Sequence, residues 1–181
     1  CGLDPARVMV LRPSGHAVAE GVEVVTDYPA GLPAGTVILL GMKPYQIGEV
    51  AEAVGPHCRA DTPILSILAG TPLAELRARF PMVHDIVRAM PNLPVGIGQG
   101  VTALHVDART SVEAAAMAQS LMTPLGLAEW IADEALFNAV TALSGCGPAF
   151  LFRFVDALTR AAQAIGLPAD QAARMALGTV Q

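Results

Sequence analysis

Basic residues are scarce in this chain. Its 181 residues carry 11 Lys and Arg against 16 Asp and Glu, for a net charge of -5, and the basic residues form no block. A phosphate backbone calls for such a block, so the sequence predicts no nucleic-acid partner. Charge of either sign is thin, at 15% of residues against 53% hydrophobic. So little charge covers a monomer of this size poorly, and a homo-oligomer is the expectation. The three cysteines, Cys1, Cys58 and Cys146, have no ligand spacing and form no CxxC pair. They read as reduced thiols of a cytoplasmic protein, with no metal site. No apolar run approaches the ~20 residues of a membrane span, and no signal peptide is visible, so no membrane partner is expected. His16, His57, His84 and His105 are scattered and join no serine–histidine–acid set.

What is present, over the first two-thirds, is alternation. Strand-like runs at 7–14, 21–27, 36–44, 62–70, 84–90, 101–107 and 127–132 enclose helix-like runs at 45–55, 72–80 and 111–126. "TVILLGMKP" (36–44) is almost wholly apolar, the pattern of a strand buried on both faces, and "TPILSILAG" (62–70) is a second. Thr71 is placed to cap the helix that Pro72 opens. Such alternation predicts an α/β fold with crossover helices. From Asp133 onward nothing reads as strand, which puts a domain boundary near 132 and gives domains 1–132 and 133–181.

The tail reads as helix, break, helix, with the break at "SGCGP" (144–148), then a stop at Gly166 and a further helix from about Asp170. In the helix at 149–165, Arg153, Asp156, Arg160 and Gln163 make one narrow polar stripe. Phe150, Leu151, Phe152, Phe154, Val155 and Leu158 fill the rest. A helix apolar over most of its circumference needs burial on most sides, and a partner subunit is the simplest cover. The chain opens at Cys1, and its last helical pattern carries no stop before Gln181, so both ends read as cut.

In open α/β sheets ligands bind at the carboxyl ends of the strands. "RPS" places Arg12 and Ser14 at the first such end, where an Arg and a hydroxyl suit a ribose 2′-phosphate and no acid awaits a 2′-OH. This favours NADP over NAD; a solvated turn is the alternative. Lys43 stands where the 36–44 strand stops, fixed by Pro44, either as a charge for a phosphate or carboxylate or as a surface lysine. Ala69 and Gly70 end the next strand with small residues that let a flat ring approach, or simply make a tight turn. In "MPNLP" two prolines, Pro91 and Pro94, stiffen the loop that holds Asn92, whose amide can orient a ligand or make the turn. A GxGxxG turn between a first strand and helix is lacking, and "GIGQG" (96–100) has the wrong spacing with no helix after it.

"RAMPNLPVGIGQGVTAL" and "DEALFNAVTALSGCGPAFLFRFVDALTRAAQAIGLP", with "GMKP" and "ILAG" before them in order, closely resemble the pyrroline-5-carboxylate reductase family over essentially the whole chain. The resemblance implies a Rossmann-like parallel-sheet domain followed by an all-helical dimerisation domain. It implies hydride transfer from NADPH, or NADH, to the imine of 1-pyrroline-5-carboxylate, giving L-proline. Arg12 and Ser14 would lie near the adenosine phosphate. Met42, Lys43, Pro44, Ala69 and Gly70 would line the cofactor, with Asn92 and Pro94 toward the nicotinamide. Tyr28 stands where relatives often carry a cofactor-contacting Asn. The family's first strand with its glycine-rich turn, and its last helices with a Gly-Gly-x-Thr motif, are not in these residues. The chain then resembles the middle of the enzyme, with little or no reductase activity expected from it alone.

A protonated imine is already electrophilic, so such a site mainly places reactants and needs no nucleophile. A helix start at the 144–148 break would offer free N–H groups to the substrate carboxylate, with Ser144 as cap and Gly145 beside it. Equally, the glycines there would let two helices or subunits pass closely, and Cys146 would be a small packing residue. The competing readings are another NADP-dependent dehydrogenase of the same two-domain plan, acting on a hydroxy acid, and a non-catalytic dimerising fragment. The first normally uses a lysine on the helical domain, and none follows Lys43.

Overall fold

A computed structural model describes residues 3–180. The chain forms two compact units, Cys1–Phe137 and Asn138–Gln181.

In the first unit, strands β3 (Ile38–Leu40), β4 (Ile64–Ser66), β5 (Ile86–Pro91), β6 (Gly100–His105) and β7 (Gly126–Trp130) form one sheet in that spatial order. Helix α1 (Ile47–Val54) links β3 to β4, α2 (Leu73–Arg79) links β4 to β5, and α3 (Val112–Met122) links β6 to β7. The strands these helices connect are parallel. β5 and β6 are antiparallel, because the loop between them is shorter than the dozen or so residues that a parallel crossover requires. Two short parallel strands, β1 (Met9–Leu11) and β2 (Glu23–Val25), form a separate sheet.

Alternation along β4 and β5 sends neighbouring side chains to opposite faces. Ile64 and Ile86 join Leu40, Ile47, Leu73, Leu76 and Phe80 under α1 and α2. Leu65 and Val87 join Leu104, Ala118 and Met122 under α3. Each of these side chains larger than alanine contributes roughly 1.5–3 kcal/mol on burial. The expectation of a second buried strand at 62–70 holds, since every residue of β4 is buried. For 36–44 it does not. Leu39 is level with Leu65 and Val87 on the α3 face, but α3 packs chiefly on β5 and β7. Val37 and Leu39 are therefore 38% and 56% exposed, while Leu40 on the other face is 2% exposed.

In the second unit the expected break is absent. The chain runs helical from α4 (Phe137–Val140) through a π-turn at Thr141–Gly145 into α5 (Gly147–Ala164). Pro148 has no N–H and its ring collides with the carbonyl four residues back in a regular helix. Widening the preceding turn absorbs that conflict, and the Cys146 N–H reaches the Thr141 carbonyl at 2.9 Å. The joined helix, Glu134–Ala164, is by length and composition apolar enough to cross a membrane, contrary to the sequence expectation. Gly166 (φ 106°) turns the chain into α6 (Ala169–Val180), which packs on α5. No residue of α5 is buried, and Phe150, Phe152 and Phe154 are 67%, 61% and 54% exposed. The polar stripe closes on itself, with Arg153 and Arg160 each 3.2 Å from Asp156.

Candidate functional site

Three adjacent parallel strands end on one edge. The register Leu40–Ser66–Arg88 puts Met42–Pro44, Ala69–Gly70 and Asn92–Pro94 just beyond neighbouring strand ends. Lys43 is exposed and forms no ion pair among the described residues. Its backbone is locked by a reciprocal turn, Lys43 N–H to Gln46 Oε1 at 3.0 Å and Gln46 N–H to the Lys43 carbonyl at 2.9 Å. The Met42 side chain packs against the α1–α2 core, which leaves its backbone at the edge. Ala69 and Gly70 are exposed. Gly70 has φ +72°, and a Cβ there would meet nothing within 4 Å, so conformation calls for the glycine and the space above it is open.

Asn92 is fixed by β6. Its N–H donates to the Val101 carbonyl (3.1 Å), and its Oδ1 accepts the Val101 N–H (2.8 Å). Pro94 sits in the 3-10 turn Leu93–Ile97 that follows. Arg12 and Ser14 are exposed at the end of β1, in a turn closed by Gly15 N–H to the Arg12 carbonyl (2.9 Å). Because β1 pairs only with β2, no strand pairing brings them to the edge formed by β3–β5. Ser144 and Gly145 lie in the π-turn of the second unit, where Ser144 donates to the Val140 carbonyl at 3.0 Å. No side chain caps the start of α5.

Burial and the nearby Glu49 carboxylate push the Tyr28 phenol above its usual range. Burial also raises the Cys58 thiol, which donates to the Val54 carbonyl; both effects argue against a reactive cysteine there. Among the described residues no group of three His, Cys, Asp or Glu suits a metal ion.

Sequence reasoning missed two charged clusters. Arg88, 8% exposed on β5, donates from Nη1 to Glu134 Oε1 at 2.8 Å, and its guanidinium lies 4.1 Å from the Phe137 ring centroid. An arginine inside the apolar run "DIVRAM" was the available signal, because such a charge is almost never buried unpaired. Arg77 is tied to Asp107. Its hydrogen bond, more than any other influence, holds the Asp107 carboxyl below the usual range.

A mainly parallel α/β sheet with open strand ends, followed by a helical hairpin, defines a Rossmann-like protein with an appended helical unit. Residues 134–181 match the family described as pyrroline-5-carboxylate reductase dimerisation. The chain is 35% identical to the pyrroline-5-carboxylate reductase of Pseudomonas aeruginosa, over 98% of this chain and 67% of that one. It is 36% identical to that of Aquifex aeolicus, over 92% and 59%. The Coxiella burnetii enzyme superposes with a TM-score of 0.80 at 31% identity, covering 88% of this chain and 60% of that one. The Plasmodium falciparum enzyme, solved with NADP bound, gives 0.81 at 24% identity, over 97% and 68%, and supports the fold. The chain belongs to the pyrroline-5-carboxylate reductase family. It spans 67%, 46% and 59% of the curated relatives from P. aeruginosa, Haemophilus influenzae and A. aeolicus.

Proposed function

We propose that the protein containing these residues reduces 1-pyrroline-5-carboxylate to L-proline with NADPH, NADH being the alternative donor. The observation that carries this reading is the convergence of three strand ends, in a chain of this family, on an edge of exposed small residues beside an unpaired lysine. The donor set fits a dinucleotide. Lys43 offers a cation to a phosphate, the open Gly70 turn admits a flat ring, and Asn92 is held rigid by β6. Arg12 and Ser14 offer an ion pair and a hydroxyl to a 2′-phosphate.

When bound, a reduced nicotinamide supplies the hydride. The chain's own residues bind and orient. Lys43 and Arg12 hold phosphate charge, Ala69 and Gly70 leave the ring face clear, and Asn92 with Pro94 fixes the far wall. Ser144 and Gly145, expected to serve the substrate carboxylate from a helix start, lie in a continuous π-turn, which removes that ground for the role. The imine nitrogen already carries its proton, so no side chain has to act as acid. Residues 1–132 form the cofactor domain and 133–181 the dimerisation domain, in a cytoplasmic homodimer or larger homo-oligomer. The test is NADPH consumption with 1-pyrroline-5-carboxylate by the product of the open reading frame that encodes these residues. Turnover to L-proline supports the reading, and none refutes it.

The uncovered aromatics of α5 support subunit contact. Phe150→Asp combined with Phe154→Asp is expected to convert the oligomer to monomer in light scattering, with helical content retained. An unchanged mass would refute this assignment of the α5 face.

A further inference from the structure

We propose that Glu134 is a positioning residue for the cofactor edge, pinning the Gly70–Pro72 turn to β5 through Arg88. The inference rests on the reading of that edge as a dinucleotide site.

The expected cap of α2 is missing. Pro72 occupies the cap position, and no side chain from the Thr71–Pro72 turn bonds to the helix start. The first helical N–H, that of Leu73, instead donates to Glu134 Oε1 at 2.7 Å. The same oxygen accepts Arg88 Nη1 at 2.8 Å. One carboxylate oxygen thus joins the start of α2, three residues after Gly70, to a central strand four residues before Asn92. Both halves of the candidate nicotinamide wall are tied to it.

The surroundings hold this junction on its Arg88 side, where the arginine side chain is 9% exposed and that of Glu134 26% exposed. Phe137 covers the Arg88 guanidinium, and His105, opposite Arg88 in the sheet, meets the Phe137 ring edge-on at 6.1 Å. His105 Nδ1 is 2.7 Å from the Ile131 carbonyl, which orients its ring. A partly buried ion pair such as this adds little net stability over apolar packing, and its best-attested use is to fix geometry. Here it fixes a left-handed glycine turn that has no cap of its own.

The test combines amide hydrogen exchange with NADPH titration on the product of the open reading frame that encodes these residues. In Glu134→Ala the Leu73 amide is expected to exchange roughly tenfold faster or more, while Leu65 and Val87 keep their protection. Glu134→Gln retains an acceptor oxygen and is expected to stay close to the parent at Leu73. NADPH affinity is expected to fall about tenfold in Glu134→Ala, about the worth of one charge-assisted hydrogen bond, but not in Asp107→Asn, which loosens the fold elsewhere. Should Glu134→Ala fail to fold, the double variant Arg88→Met with Glu134→Leu removes the pin without an orphan charge, and the same acceleration is expected. Unchanged exchange at Leu73, or an equal affinity loss in Asp107→Asn, overturns the positioning role. A parent protein with protected Leu73 but no saturable NADPH binding overturns instead the reading of the edge as a dinucleotide site.

Discussion

Arg77→Ala is expected to lower the unfolding free energy by about 3–5 kcal/mol, a large share of the roughly 5–15 kcal/mol typical of a domain. The side chain is 10% exposed, and all five of its donors are used. Nε and Nη2 reach the two Asp107 oxygens at 3.0 and 2.6 Å. Nη1 reaches the Val83 and His84 carbonyls at 2.9 and 2.7 Å, and Nη2 also reaches Thr110 Oγ1 at 3.1 Å. Thr110 in turn donates to the Ile86 carbonyl at 2.9 Å. One guanidinium therefore closes the turn before β5 onto the loop before α3. Lysine has no planar fork and cannot span these acceptors, so Arg77→Lys should recover little. Urea unfolding, with an unchanged slope, measures the loss; a shift under 1 kcal/mol would count against the account.

The same pair sets an acid limit. Asp107 has a lowered pKa in the folded state, first through its hydrogen bond to Arg77. A depressed carboxyl stabilises above its unfolded value, about 3.9, and that contribution disappears as pH falls through the folded value. Parent and Asp107→Asn stabilities are therefore expected to differ at neutral pH, to begin converging below about pH 4 and to meet only once pH has fallen through the folded value. A gap that persists in acid would show that Asp107 acts through packing.

Legibility followed how local each cause was. The hydrophobic runs at 36–44 and 62–70 look alike, and both became strands, but only β4 is covered on both faces. Which helix lies over which face is decided by topology, and a run of apolar letters does not contain it. "SGCGP" correctly marked a disturbance, since proline sterics are local. Whether the chain relieves it by breaking or by a π-turn depends on the turn before, and the helix continued. The strand ends at Lys43, Gly70 and Asn92 were readable because each carries its own turn residue. Thr71 has the right chemistry to cap α2, yet the carboxylate that serves that N–H comes from Glu134, in a segment that reads only as the start of a helix. Arg88 advertised a missing partner, but nothing near it in sequence says that the partner is Glu134.

Gly126 carries the second large effect, and it explains the glycines that failed as a phosphate fingerprint. β6 and β7 begin in register at Gly100 and Gly126. Gly126 has φ +131°, and a Cβ on it would fall 2.6 Å from the Gly100 nitrogen and nearer still to its carbonyl oxygen. A Cβ on Gly100 would in turn fall 2.7 Å from the Val95 nitrogen. The end of "GIGQG" is thus bare so that two backbones and the Leu93–Ile97 turn can stack. Backbone strain of about 1–3 kcal/mol and overpacking of about 1–3 kcal/mol add, so Gly126→Ala is expected to cost roughly 2–6 kcal/mol. Gly98, with φ +71° and its nearest neighbour at an ordinary 3.6 Å, should cost only the left-handed penalty of about 1–2 kcal/mol. Trp130, the only tryptophan, ends β7 and reports on its pairing. Its fluorescence should shift in Gly126→Ala under native conditions and stay unchanged in Gly98→Ala. Equal costs for the two variants would mean that conformation alone, and not the contact between β6 and β7, demands glycine at 126.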